Sequence, residues 1–204
     1  DESINVFTIG VGTGSVSLTS TAGSILDDGS DATKITGGAV AMTASSGTNS
    51  IGTSATAATD IDTAAASLVA SAGTGGVFVT EDDAVTLTAI TSGGTVTIAN
   101  AAGDITVNTI TAGTQAVNLT AAGSILDDEA LLLSTTAIAG CVVTLTAATG
   151  IGTTTTNVDT TATSLDVWVT SAGLINLAET NGVTLTAVDT ANGAITLTTG
   201  GTTT

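Results

Sequence analysis

The sequence predicts an all-β fold, a parallel β-helix (β-solenoid) wound as one continuous rod, and three observations carry that expectation. Short segments alternate apolar with polar residues, the chain repeats itself after about one hundred residues, and proline and histidine are absent, with aromatic residues at only 1%. Strict alternation puts successive side chains on opposite sides of a strand. A long internal repeat is the mark of stacked architectures. Proline would remove a ladder donor at nearly every position of such a stack.

The repeat divides the chain into residues 1–101 and 102–204. At its start, Ile4, Val6, Thr8, Ile9, Thr13 and Val16 align with Ile105, Val107, Thr109, Ile110, Thr114 and Val117, so the opening residues read as the interior of a repeat. A strand from Val16 to Ser20 leads into the turn Ala22-Gly23-Ser24-Ile25-Leu26-Asp27-Asp28, which returns unchanged as Ala122 to Asp128. Val40 to Ala44 follows, then Ile51-Gly52-Thr53, matched by Ile151-Gly152-Thr153, and Ser71-Ala72-Gly73, matched by Ser171-Ala172-Gly173. Gly76 to Thr80 and Val85 to Ala89 complete the first repeat with a relative at Val96. Val117 to Ala121, Val143 to Ala147, Leu174 to Ala178, Val183 to Ala187 and a relative at Ile195 occupy the second. Gly, Asn, Asp and Ser gather between these segments, where turns need positive φ or local side-chain hydrogen bonds. Helix is nearly unsupported.

Composition fits a narrow stacked bore. With 25 glycines and 47 threonines the chain is built of small residues, and its 42% hydrophobic fraction rests on Ala, Val, Ile and Leu. In a coil, each inward aliphatic residue meets its equivalent about 4.8 Å above and below, so columns fill without aromatic rings. Outward Thr keeps strand propensity while its hydroxyl stays hydrated. About ten coils at that rise give a rod roughly 50 Å long. Neither end carries an evident cap, which predicts a segment of a longer array or a subunit whose ends meet neighbours.

The same composition excludes several functions. One base, Lys34, faces 18 carboxylates, giving a formal net charge of −17. Binding to a nucleic-acid backbone depends on Lys and Arg, so no nucleic-acid partner is expected. There is no imidazole for a triad and no glycine-rich run before Lys34 for a phosphate loop. No apolar run reaches the roughly 18 to 20 residues of a membrane-spanning helix, so no membrane insertion is expected, and no signal peptide opens the chain. The N-terminus reads as mature or cut from something longer. Enzyme activity is not expected.

The recurrent VxLTA strands, the AGSILDD turns and the phrases TGIGT and SAGLINL resemble the repeats of filamentous-haemagglutinin-like adhesins and of giant bacterial surface proteins, over nearly the whole chain. That resemblance implies a right-handed parallel β-helix, an extracellular or cell-surface location, and an adhesive or structural shaft. The chain lacks a recognisable secretion domain or binding tip.

Candidate sites are few. Asp27, Asp28, Asp127 and Asp128 form paired carboxylates at turns, with Glu81-Asp82-Asp83 and Glu129 nearby; they could hold Ca²⁺ through carboxylates and backbone carbonyls, or act as solvated turns that discourage side-by-side aggregation. Asp60, Asp62 and Asp159 form a second candidate cation set, in which Asp60 falls opposite Asn157. Trp168 lies in Ser164-Leu165-Asp166-Val167-Trp168-Val169, where alternation turns it outward if Leu165, Val167 and Val169 face in. It is a candidate interface residue, with a ring tucked over a corner as the alternative; Phe7 is a second candidate. Cys141 reads as a small apolar residue or a free thiol. Lys34 could enter an isopeptide crosslink, and Asn118-Leu119-Thr120 fits a glycosylation acceptor. Three functions follow: a self-associating shaft with a host or cell-surface ligand, an ice- or carbohydrate-binding surface using Thr-x-Thr pairs, and a Ca²⁺-dependent adhesin repeat.

Overall fold

The computed structural model describes residues 2–56, 58–128 and 138–200. Every regular element among them is a strand, there is no helix, and every strand pairing is parallel, as the period-two pattern predicts. The chain winds as a β-solenoid of about nine turns, against the ten expected. The recurring VxLTA segments do not mark successive turns, because they fall in two different ladders.

The first ladder runs through Ile4–Val6, Ile25–Asp27, Ser50–Ile51, Gly76–Glu81, Val96–Asn100, Val117–Ala121, Val142–Ala147, Ser164–Val169 and Thr184–Thr190. Its inward column reads Ile4, Ile25, Ile51, Val77, Val96, Val117, Val143, Leu165 and Leu185, each in register with the next. The second ladder carries Val85, Ile105, Ile125, Ile151, Ile175 and Ile195 in one column. Leu18, Met42, Ala70, Ile90, Ile110 and Ile138 stand in another. Nearly all these side chains are sealed from solvent. Each fully buried Val, Leu or Ile contributes about 1.5–3 kcal/mol, so stacked aliphatics replace an aromatic core.

The two copies of the sequence repeat are out of phase with the winding. Ile25 stacks between Ile4 and Ile51 in the first ladder, whereas Ile125, in the identical heptapeptide, stacks between Ile105 and Ile151 in the second. Val16 lies on Val40 in the second ladder, and its counterpart Val117 lies on Val143 in the first. From Ile4 to Ile105 the chain passes Ile25, Ile51, Val77 and Val96 and then crosses to the other ladder, about four and a half turns. Matching motifs therefore emerge in different ladders.

Corners are set by glycine where the chain must turn left-handed. Gly52 (φ 67) and Gly152 (φ 71) occupy the recurring Ile-Gly-Thr turn. A Cβ there would lie 2.6 Å from the carbonyl oxygen of Phe78 or of Asn176 on the neighbouring turn. Both the φ and the approach demand glycine. The long strand Ile61–Ala72 rounds a corner of its own, since Ile61 pairs with Val79 and Leu68 with Leu87.

Candidate functional site

The Asp27-Asp28 pair serves its own turn. Asp27 Oδ2 accepts from the N–H groups of Gly29 (2.6 Å) and Ser30 (3.1 Å), and Asp28 Oδ1 from Ser30 N–H (3.0 Å) and the Thr33 hydroxyl (2.7 Å). Such bonds are how Asp fixes a turn. Asp127 Oδ2 accepts from Asp159 N–H at 3.5 Å, and Asp128 is exposed, with its N–H donating to Val107 O. The neighbouring Glu129 lies outside the described residues. Among the described residues no three His, Cys, Asp or Glu side chains converge as a metal-ligand set.

Asp60 and Asp62 differ from these turn residues. They sit two apart at the start of Ile61–Ala72, only 4% and 8% exposed. Thr80 Oγ1 donates to Asp60 Oδ2 at 2.5 Å, while Asp60 Oδ1 and Asp62 Oδ2 are buried with no hydrogen-bond partner. Burial, joined by the negative charges of Asp60, Asp27, Asp31 and Asp82, pushes the Asp62 carboxyl up to about 6. The only base in the chain lies close by but is engaged elsewhere: Lys34 Nζ donates to Asp82 Oδ2, and that bond raises the Lys34 ammonium above its ordinary value. In the second repeat the equivalent pair is Asn157 and Asp159, where the Asn157 amide donates to Asp159 Oδ1. One carboxylate exchanged for an amide turns two repelling acids into a hydrogen-bonded pair.

Sequence reasoning missed a duplicated interior device. Glu81, grouped above with the surface acids Asp82 and Asp83, is fully buried: Oε2 accepts from the Thr63 hydroxyl (2.6 Å), and Oε1 from the N–H groups of Ala65 (2.8 Å) and Asp82 (3.1 Å). Burial raises its carboxyl above the ordinary 4.5, opposed by those bonds. Glu179 repeats the arrangement, accepting from the Thr160 hydroxyl (2.7 Å) and Ala162 N–H (3.1 Å). The signal was present in the sequence, since Thr63 and Glu81 recur as Thr160 and Glu179. Each carboxylate accepts from a backbone N–H at the rounded corner, Ala65 or Ala162, while Asp82 N–H also donates to Thr63 O (2.9 Å).

On the outer surface, Trp168 points outward as alternation requires, 43% exposed, with Nε1 donating to Asp166 Oδ1 at 2.6 Å. Phe7 is 65% exposed. Cys141 is half-buried, and Asn118 Nδ2 donates to Thr97 Oγ1 across the ladder. The Thr-x-Thr pairs form no continuous rank: Thr144 and Thr146 stand between Asn118 and Thr120 on one side and Asp166 and Trp168 on the other. A shallow hollow of about 200 Å³ is lined by Ala66, Ala84, Val85, Thr86, Asp104 and Thr106. Asp104 Oδ1 there accepts from Ser124 N–H at 2.7 Å, so its one carboxylate is engaged in holding backbone.

No helix among the described residues is long and apolar enough to cross a membrane. No protein-family model, curated protein or solved structure matches the chain.

Proposed function

We propose that the chain is a structural shaft: a β-solenoid segment of an extracellular filament or adhesin at the cell surface, which self-associates by stacking coil on coil. The observation that carries this reading is the unbroken aliphatic column from Ile4 to Leu185. A column of this kind is extended by adding rungs without redesign, which is the property a rod needs. At the last described rungs Leu185, Val188 and Leu197 are only partly buried and Ile195 is 48% exposed, although their equivalents inside the stack are sealed. Those rungs suit a further coil, from flanking repeats or from a neighbouring copy.

Two further features suit an exterior shaft. Carboxylates outnumber bases 18 to 1, so like-charged rods repel sideways while their ends can still meet. A single Lys and no Arg leave trypsin-like proteases almost nothing to cut. A host or cell-surface ligand would be met at the outer side chains, with Trp168 and Phe7 the leading contact residues. In this reading the chain is not an enzyme.

Sedimentation velocity and negative-stain electron microscopy test the proposal. Concentration-dependent growth into rods longer than about 40 Å, the length of nine rungs, supports it. Growth should be lost in Ile195→Asp. A chain that stays monomeric up to millimolar concentration, with the open rungs intact, overturns the self-association.

A further inference from the structure

We propose that Asp60 and Asp62 together bind one hard divalent cation of the calcium class, at a site distinct from the Asp27-Asp28 and Asp127-Asp128 turns. Two more-than-nine-tenths-buried carboxylates lie two residues apart at the start of the strand Ile61–Ala72, and each has an oxygen, Asp60 Oδ1 and Asp62 Oδ2, that meets no donor. Buried ionised oxygens are otherwise paired, protonated or metal-bound. The nearest ammonium, on Lys34, is held by Asp82. Asp27 and Asp31 add negative charge around Asp62 and no compensating donor. The second repeat supplies an internal contrast, because Asn157 donates to Asp159 at the matching place and leaves nothing for a cation to satisfy.

Two carboxylates make a weak site. No third acidic side chain among the described residues completes a ligand set, so water and uncharged oxygens must fill the rest of the coordination sphere. Few charged ligands place the affinity at roughly 10⁻⁴–10⁻³ M, the range of extracellular calcium modules. Such a site is filled at millimolar calcium and empty at cytosolic levels, which links firmness of this corner to the exterior. The inference stands whether or not the shaft assembles end to end.

The test uses the full chain, stripped with chelator, in thermal melts at pH 7.5 with 10 mM CaCl₂, 10 mM MgCl₂, or NaCl of equal ionic strength. A rise in Tm of roughly 3–8 °C with a divalent ion, beyond that in NaCl, is expected. The response should vanish in Asp60→Asn, which installs the amide that Asn157 already provides, with the chelated Tm at or above that of the unmodified chain. Titration calorimetry of the unmodified chain should give one ion per chain, a readout that does not depend on the variant folding. An equal rise in NaCl, a divalent response that survives in Asp60→Asn, or no heat with either ion overturns the proposal. So does a chelated protein whose Tm climbs below pH 6 without any divalent response, the sign that the pair shares a proton instead.

Discussion

Replacing Glu81 by alanine removes a buried carboxylate that accepts from three donors, one of which, Ala65 N–H, depends on it. The Thr63 hydroxyl can turn to Thr80 O, already 3.4 Å away, and Asp82 N–H keeps Thr63 O at 2.9 Å, but the buried N–H of Ala65 loses its side-chain acceptor. An orphaned buried donor costs about 1–3 kcal/mol, and the vacated volume adds to that, while relief of a desolvated carboxylate offsets part of it. The net expectation is a loss of about 2 kcal/mol, which for a chain of this length lowers Tm by roughly 4–8 °C. Glu81→Gln should behave differently. Its carbonyl keeps both N–H bonds and its amide faces the Thr63 oxygen, so stability at pH 7 should stay within about 1 kcal/mol of the unmodified chain. The pH dependence follows from the raised carboxyl: the folded state binds the proton more tightly than the unfolded one, whose ordinary value is 4.5. Unmodified protein therefore gains on Glu81→Gln as pH falls, fully below the unfolded value, and loses that gain as pH rises through the folded one. Circular-dichroism melts of the three proteins from pH 4 to 8 measure this. An alanine variant as stable as the unmodified chain, or a glutamine variant as damaged as alanine, refutes the acceptor role.

Other substitutions separate packing from surface chemistry. Met42→Ala opens a cavity in a sealed column and should cost about 2–5 kcal/mol in denaturant unfolding. Gly152→Ala combines a positive φ with a Cβ 2.6 Å from the Asn176 carbonyl oxygen and should cost more than about 2 kcal/mol, whereas alanine at Gly113 (φ 58), with open space around it, should cost less. Lys34→Ala breaks a half-exposed ion pair and should change stability by about 1 kcal/mol or less, with the effect fading at high salt.

What the residues disclosed and what they concealed divide along one physical line. Period-two segments such as Val143 to Ala147 specify which side chains face in, and the burial of Val142–Ala147 follows that alternation. Trp168 was legible for the same reason. Alternation fails at corners, where a strand that bends shows both of its sides to neighbouring chain. Asp60 and Asp62 lie at such a bend, and their burial is set by the adjoining turns rather than by their own parity, whereas Glu81 continues the inward alternation of Val77 and Val79 and was hidden by its charge. The half-turn phase was equally hidden, because a turn takes 21 residues from Ile4 to Ile25 but 26 from Ile25 to Ile51, and only the registers fix the sum. The pairing of Thr63 with Glu81, repeated as Thr160 with Glu179, was the one trace of the interior device in the sequence.

Stacking itself is measured most directly by pulsed electron–electron distances on spin labels placed in one outward column, in a Cys141→Ala background. Asn5 and Asn118 lie five turns apart in the first ladder, and Asn5 and Ala187 eight turns apart. A rise of about 4.8 Å per turn places the two pairs near 24 and 38 Å, a difference of about 14 Å for three added turns. Distances that do not lengthen with the number of turns, or that are equal for the two pairs, would contradict the stacked solenoid.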